Sequence, residues 1–273
     1  MGYMKNAPKN AKAKKNKGGI GKDLIYIEYD DLFEMPSMNA DETIYIDDIK
    51  LKPGAKAHIL KQVHGNDKTG FLTAVDQGAT EGSSWKVSVE YSISGLEPSH
   101  IHFANLMVRG VDTLQLVKDG ANRWRLAGEE GWPLMKAAGG VTLGTGENAQ
   151  AFSGGNYKFE TSQNNFPGEY RGDTKKLLLE VPLAQTVATA TATEATLNWN
   201  ALEDTSITNF QVEVSTEESF ATIEQTQDVS GANTFAATGL TANTLYYWRV
   251  SSKSSTGVVG LASNVIRFQT ASA

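Results

Sequence analysis

The clearest alternation of hydrophobic and polar positions lies in residues 85–93, where polar side chains separate Trp85, Val87 and the apolar residues that follow. A period of two predicts a β-strand with one buried face. Pro98 then opens an apolar run that ends at Gly110. Proline at the start and glycine just past the end predict a helix of about three turns. We therefore expect a strand followed directly by a short helix.

The segment after this helix predicts a hairpin, because the apolar runs 111–117 and 123–128 flank a turn rich in Asp, Gly and Asn. The glycine-rich segment 138–146 lacks the spacing of a phosphate-binding loop, and we expect it to form turns. The first part of the chain is thus expected to be all-β with one short helix. Further strands are predicted at residues 24–29, 44–46, 49–51, 57–63 and 156–160.

Residues 64–82 contain few apolar positions and predict a long loop or an extended hairpin. We expect that the domain itself cannot hold this segment in place. Loops of such length are uncommon in compact domains unless they bind something. The residues expected to make these contacts are His64, Asp67, Lys68, Phe71, Asp76 and Gln77.

Beyond Pro182, short alternating strands recur with turns about 8–12 residues apart. This spacing predicts a second all-β domain, a sandwich of seven strands, over residues 184–273. Few contacts are expected to cross the boundary after Pro182, so the second domain is expected to fold alone.

Charge divides the 273 residues into unlike segments, with a net charge of −6. Residues 1–22 hold seven lysines and no acid, which predicts a basic arm rather than a folded unit. The absence of cysteine excludes disulfides and thiolate chemistry. No apolar run approaches the roughly 20 residues of a membrane-spanning helix, and no signal-peptide core follows the lysines. We expect no membrane span.

Residues that could form a catalytic or metal-binding site do not cluster in the sequence. His100 and His102 would share a face only on a strand, and the helix predicted there turns them apart, so no metal site is expected. The adjacent Asp47 and Asp48 would point to opposite faces of a strand. No nucleophile and base stand out, and we expect neither an enzyme nor a cofactor.

Residues 240–250, with Trp199 upstream, resemble fibronectin type III domains. The resemblance covers the whole C-terminal segment and implies an immunoglobulin-like sandwich. It also implies that tryptophan fills the core and that the hydroxyl group of Tyr246 caps a strand corner. The core residues that it assigns are Trp199, Leu240, Tyr246, Trp248 and Val250.

The order of elements in the first part resembles the tail tube (major tail) proteins of long-tailed bacteriophages. It runs from the first strand through the Pro53-Gly54 turn, the long loop, the Trp85 strand, the helix and the hairpin to a strand at Tyr157. The likeness covers about residues 23–182 and implies a tail-tube-like β-sandwich or barrel domain, residues 23–183. Several members of that family carry an immunoglobulin-like or fibronectin-like domain at the C-terminus.

This resemblance implies a structural virion protein without enzymatic activity. Six subunits would form a ring, inner strands would close into a barrel, and stacked rings would form the conduit for DNA ejection. The long loop would engage the next ring, and the fibronectin type III domain would face outward. The implied partners are other copies, other tail proteins and DNA that passes without specific binding. The implied location is the virion tail, after synthesis in the host bacterial cytoplasm.

The arm adjoins nine carboxylates in residues 23–48, a stretch without lysine or arginine. An exposed ion pair is worth only about 0–1 kcal/mol, but many pairs made at once across a subunit boundary would tether neighbouring copies. The alternatives are a solvated acidic block, and an arm that is a flexible tail or contacts nucleic acid. The arm residues expected to make the contacts are Lys5, Lys9, Lys12, Lys14, Lys15 and Lys17.

Other functions stay open. A phage neck, baseplate or head decoration protein would share these folds without stacking indefinitely. An extracellular adhesin or carbohydrate-binding protein with a fibronectin spacer is expected to show an export signal and exposed loop aromatics, and neither is evident in the sequence. An enzyme with an accessory domain is the last alternative.

Overall fold

A computed structural model of the chain describes residues 23–61, 63–64, 71–78, 84–145 and 153–273. The helices of the described residues are α1 (Pro98–Val108) and α2 (Thr174–Leu177). The strands of the first part are, in chain order, β1 (Leu24–Glu28), β2 (Leu32–Glu34), β3 (Ile44–Tyr45), β4 (Lys50–Leu51), β5 (His58–Leu60), β6 (Val63–His64), β7 (Phe71–Asp76), β8 (Trp85–Ser94), β9 (Thr113–Lys118), β10 (Trp124–Ala127), β11 (Met135–Gly144), β12 (Gly154–Gln163) and β13 (Glu169–Tyr170).

Two large sheets form the first part. The first sheet has the order β3-β13-β10-β9-β1-β5, and the pair β13–β3 in it is parallel. The second sheet has the order β11-β12-β8-β6, and β7 also pairs with β8. The strands β8, β11 and β12 are each 10 residues long. Long antiparallel strands therefore build the second sheet.

The two sheets pack face to face over a first core. Val87, Val89 and Tyr91 of β8 share this core with Leu24 and Tyr26 of β1. Helix α1 packs into the same core through one face, because its buried residues follow the helical spacing i, i+3, i+4, i+7. These helix residues are His100, Phe103, Ala104 and Met107.

A second core covers the opposite face of the first sheet. Ile25 and Ile27 of β1 point into it, and it is closed by the segment that carries Ile49 and Leu51 and by residues 177–181. Strand β1 is therefore buried on both faces, which explains its nearly continuous apolar sequence.

Several sequence predictions are confirmed. Strand β8 buries Val87 and its alternating apolar successors, and α1 begins at Pro98. Gly110 follows the helix with a φ of +86°, a left-handed conformation that glycine adopts without strain. The predicted hairpin is present, with Trp124 of β10 opposite Lys118 of β9.

The expectation that the domain cannot hold residues 64–82 is wrong for residues 71–76. These residues form β7, which pairs along residues 85–90 of β8. Leu72 and Ala74 are half-buried and pack against the first core. Two apolar side chains on one face are thus enough to anchor the strand, because β8 supplies the hydrogen bonds.

The turns expected in segment 138–146 and the single strand expected over 57–63 are also wrong. Residues up to Gly144 continue β11, and a register shift between Lys136 and Val141 accommodates the glycines as a bulge. Strands β5 and β6 belong to different sheets. The four-residue helix α2 was not predicted, because one turn is too short to show a periodic pattern.

The second part is a β-sandwich with its own core. A two-stranded sheet, β14-β17, packs against a sheet with the order β16-β15-β18-β19, in which β20 also pairs with β18. Trp199 and Trp248 lie in this core. The strands are β14 (Glu194–Asn198), β15 (Asn209–Ser215), β16 (Gln225–Ser230), β17 (Thr234–Thr238), β18 (Leu245–Lys253), β19 (Val259–Ala262) and β20 (Ile266–Gln269).

The expectation of few contacts across Pro182 is contradicted by bonds that cross it: the N–H groups of Glu203 and Asp204 donate to the Glu180 carboxylate at 2.9 and 2.8 Å, and Lys56 Nζ lies 2.8 Å from Asp204 Oδ2. That residues 184–273 fold alone stays a prediction. Residues 177–181 bond to the first part, since Val181 accepts from the Gly54 N–H group at 2.7 Å and donates to the Ala55 carbonyl group at 2.9 Å. Only three residues later, the Ala184 N–H group donates to Asn264 Oδ1 at 2.9 Å. The chain therefore passes from one part to the other without an unbonded linker.

Candidate assembly surfaces

The second sheet ends in two edges within the described part of the chain. Strand β11 pairs only with β12 at one edge, and β6 and β7 pair only with β8 at the other. The edge strand β11 carries a single charged residue, Lys136, in its 10 residues. Edge strands are usually protected by charges or proline. The β11 edge lacks this protection over most of its length.

The face of the second sheet that points away from the first core is polar. Lys158 Nζ lies 3.0 Å from Glu90 Oε1 and 3.1 Å from Glu160 Oε1, and Lys86 Nζ lies 3.3 Å from Glu160 Oε2. The hydrogen bond to Glu90 raises the pKa of Lys158, and the hydrogen bond from Lys158 lowers the pKa of Glu160. Among the described residues, Lys86 and Lys158 of this face are therefore neutralised by its carboxylates.

The sequence-predicted loop residues are spread over strands and segments without structural description. His64 lies in β6, opposite Ser92, and Phe71 and Asp76 lie in β7. Gln77 follows β7, where its Oε1 atom accepts a hydrogen bond from Ser162 Oγ at 3.0 Å. Asp67 and Lys68 lie outside the described residues, as do the arm residues Lys5, Lys9, Lys12, Lys14, Lys15 and Lys17.

Sequence reasoning missed two exposed aromatic residues at one end of the first part. Trp132 is 48% exposed and Phe166 is 47% exposed. Their turns are held together by the carboxylate of Glu129, which accepts from the N–H groups of Asn164 and Asn165, each at 3.0 Å. The sequence signal was available, because Pro133 and Pro167 directly follow the two aromatics and mark turns.

Part of the acidic block 23–48 is used inside the first part. Asp48 Oδ1 accepts a hydrogen bond from the Asp173 N–H group at 3.0 Å, and Asp48 Oδ2 lies 3.1 Å from Lys176 Nζ. Glu28 and Asp31 lie at the end of β1, and burial together with neighbouring carboxylates raises the pKa of each. The block thus contains both a carboxylate that bonds within the fold, Asp48, and carboxylates that repel one another, such as those near Glu28 and Asp31.

The residues assigned to the fibronectin-like core are all buried there, and Trp248 and Val250 are fully buried. The Thr241 N–H group donates a hydrogen bond to the hydroxyl oxygen of Tyr246 at 3.0 Å. This bond ties the start of β18 to the turn that precedes it. The remaining members of the set are Trp199 and Leu240.

Within the described ranges, no group of three or more histidine and carboxylate side chains is placed to hold a metal ion. His100 and His102 both lie on α1, His100 buried and His102 exposed. No helix in the described part is long and apolar enough to span a bilayer.

The junction between the two parts centres on Glu180, which is 3% exposed. Its carboxylate accepts from the N–H groups of Glu203 and Asp204 at 2.9 and 2.8 Å, and its carbonyl group accepts from Ser252 Oγ. Lys56 Nζ of the first part lies 2.8 Å from Asp204 Oδ2. This ion pair, with the bonds to Ser206, lowers the pKa of Asp204 to about 2.

Comparison with known domain families matches residues 181–269 to the fibronectin type III domain. The fibronectin type-III domain of human fibronectin type III domain containing protein 3 is 21% identical, over 35% of this chain and 88% of that one, with a TM-score of 0.31. The FN5 domain of Drosophila Lar is 21% identical over 34% of this chain and 97% of that one, with a TM-score of 0.27. No curated protein matches the chain. Residues 181–269 are therefore a fibronectin type III domain, attached to a mostly β first part.

Proposed function

We propose that the chain is a tail tube subunit of a long-tailed bacteriophage, whose copies join into six-membered rings that stack into a conduit for DNA. The observation that carries the proposal is the second sheet with its two edges, one of them the nearly uncharged β11. In a ring, the β11 edge of one copy pairs with the β6 and β7 edge of the next. Such a ring leaves no edge of the second sheet free.

The polar face of the second sheet suits the wall of a DNA conduit. In the closed ring this face lines the lumen, since its other face packs on the first core. Lysines that are already paired with carboxylates, such as Lys158 with Glu90, attract a passing DNA phosphate only weakly. DNA is held by unpaired cations that replace its counterions, so a neutralised wall lets DNA pass.

The position of the fibronectin type III domain agrees with display on the outside. Leu261 of β19 packs against the second core, which covers the face of the first sheet opposite to the second sheet. The fibronectin domain is thus attached on the side away from the sheet that lines the lumen. A domain attached on the inner side would narrow the lumen, which must stay wide enough for a DNA duplex.

Electron microscopy of the purified protein tests the proposal. We expect rings or tubes from the full chain and their loss in Leu143→Lys, which places a charge on the β11 edge, where Leu143 is 43% exposed. The matched control is Thr196→Lys on the exposed face of β14 in the fibronectin domain, which should assemble normally. Monomers from the unmodified chain at high concentration would contradict the proposal.

An extracellular adhesin-like or carbohydrate-binding role is the second candidate. The exposed Trp132 and Phe166 favour it, because aromatic faces in turns are suited to stacking on a ligand, and the fibronectin type III match fits such a role. A chain that stays monomeric and binds glycans through Trp132 would support this candidate over the tube subunit.

A further inference from the structure

A groove of about 580 Å³ lies where the two domains meet. Phe33 and Leu51 line it from the first domain, and Leu261 and Val265 line it from the fibronectin domain. Phe33 is 68% exposed and Val265 is 40% exposed. Exposed apolar side chains that line a concave surface of this size indicate a binding surface.

The groove also carries negative charge. Glu34, Asp47 and Asp48 line it together with two cations, Lys50 and Arg249. Glu34 is paired with Lys50 and Asp48 with Lys176, so Asp47 is the carboxylate that lies outside these ion pairs. Lys50 Nζ lies 2.6 Å from Glu34 Oε2, and Arg249 Nε lies 2.6 Å from Glu213 Oε2. Asp47 is exposed at the groove. A matching occupant combines apolar side chains with positive charge.

We propose that residues 1–22 of the same chain dock in this groove. The segment has seven lysines and no acid, and it carries Tyr3 and Met4 near its start. The lysines complement the acidic rim of the groove at Asp47, and Tyr3 and Met4 supply apolar contacts for Phe33 and Val265. The segment thereby contacts both domains at their junction.

The length of the segment permits this contact within one chain. The described chain begins at Asp23, and 20 residues reach up to about 66–72 Å when extended. A small domain is only about 30 Å across. A segment of the same chain also avoids most of the entropy cost of association, because its effective concentration is high. These two points favour the chain's own segment over that of a neighbouring copy.

Disulfide trapping tests the proposal, because the chain contains no cysteine of its own. We expect the full-length double variant Tyr3→Cys, Val265→Cys to form an intrachain disulfide about tenfold faster than Tyr3→Cys, Phe166→Cys. Phe166 is a matched control because it is similarly exposed but packs on Trp85 of the second sheet. Adding Phe33→Ala to the first variant should slow the reaction severalfold.

Three outcomes would overturn the proposal. The first is an equal rate in the test and control variants, and the second is a rate that does not respond to Phe33→Ala. The third is a disulfide that forms only between chains when the single variants Tyr3→Cys and Val265→Cys are mixed, since the occupant would then be a neighbouring copy. None of these results depends on whether rings assemble, so the docking and the tube function can fail separately.

Discussion

The buried carboxylate of Glu180 accepts a hydrogen bond from the backbone N–H group of Asp204 at 2.8 Å, across the junction of the two domains. The neighbouring N–H group of Glu203 donates to the same carboxylate. Hydrogen bonds to a charged group contribute about 1.5–3 kcal/mol each. One side chain of the segment before the fibronectin strands therefore fixes the loop that follows β14.

Glu180→Ala is expected to lower the free energy of unfolding by about 2–4 kcal/mol, because two partly buried N–H groups lose their charged acceptor. Urea unfolding monitored by tryptophan fluorescence measures the change. Glu203→Gln is the control, since the Glu203 side chain is exposed, and it should stay within about 0.5 kcal/mol of the unmodified chain. Equal stability of the two variants would show that the Glu180 contacts contribute nothing.

The Lys56–Asp204 pair should make the stability of the fold depend on pH in the acidic range. The pKa of Asp204 is lowered from its ordinary value of 3.8 to about 2. Because the pKa is lower in the folded state, ionised Asp204 stabilises the fold fully above pH 3.8, and this contribution is lost as the pH falls towards 2. We expect Asp204→Asn to be less stable than the unmodified chain at pH 6, with a difference that shrinks as the pH approaches 2. A difference that is constant with pH would contradict this assignment.

Asp31 should behave in the opposite sense. Burial and the neighbouring Asp30 carboxylate raise its pKa, while Lys52 opposes them, so ionised Asp31 disfavours the folded state. Asp31→Asn is expected to raise the melting temperature at pH 7 and to lose this advantage at pH 3, where the carboxyl group is protonated. Asp41→Asn, in an exposed turn, serves as the control. A lower melting temperature for Asp31→Asn at pH 7 would refute the prediction.

The bulge in β11 should tolerate no side chain at Gly140. A Cβ atom there would lie 2.5 Å from the Lys158 carbonyl oxygen and 2.8 Å from that of Ala137. Gly140→Ala is expected to cost about 1–3 kcal/mol through this overpacking. Gly144→Ala in the same strand meets nothing within 4 Å and should be nearly neutral. Thermal unfolding of the two variants compares them, and equal melting temperatures would argue against the bulge.

The sequence predicted those elements that have a local signal, either alternating apolar residues or characteristic residues at their ends. The alternating apolar residues of β8 and the Pro98 and Gly110 ends of α1 are local signals, and the structure confirms both. The aromatic positions of the fibronectin domain carried a resemblance that the family comparison supports. Local pattern was sufficient wherever a strand or helix buries one face.

The remaining features depend on partners that are distant in sequence. Strand β7 exists because β8 supplies its hydrogen bonds, and the glycines of β11 fit because a bulge faces Lys158. The role of Glu180 rests on two backbone N–H groups 23 and 24 residues away. Backbone donors are present at nearly every position, so no residue pattern marks them.

The close approach at Gly260 has a consequence for how the protein would look in projection. A Cβ atom at Gly260 would lie 3.1 Å from the Cβ atom of Leu179, so the backbone of β19 rests directly on the segment that leaves the first domain. Together with the bonds of Glu180, this contact holds the fibronectin domain at one angle. In any symmetric particle, the fibronectin domain of every copy would then lie at the same angle to its own first domain, and averaging over the copies would sharpen its density.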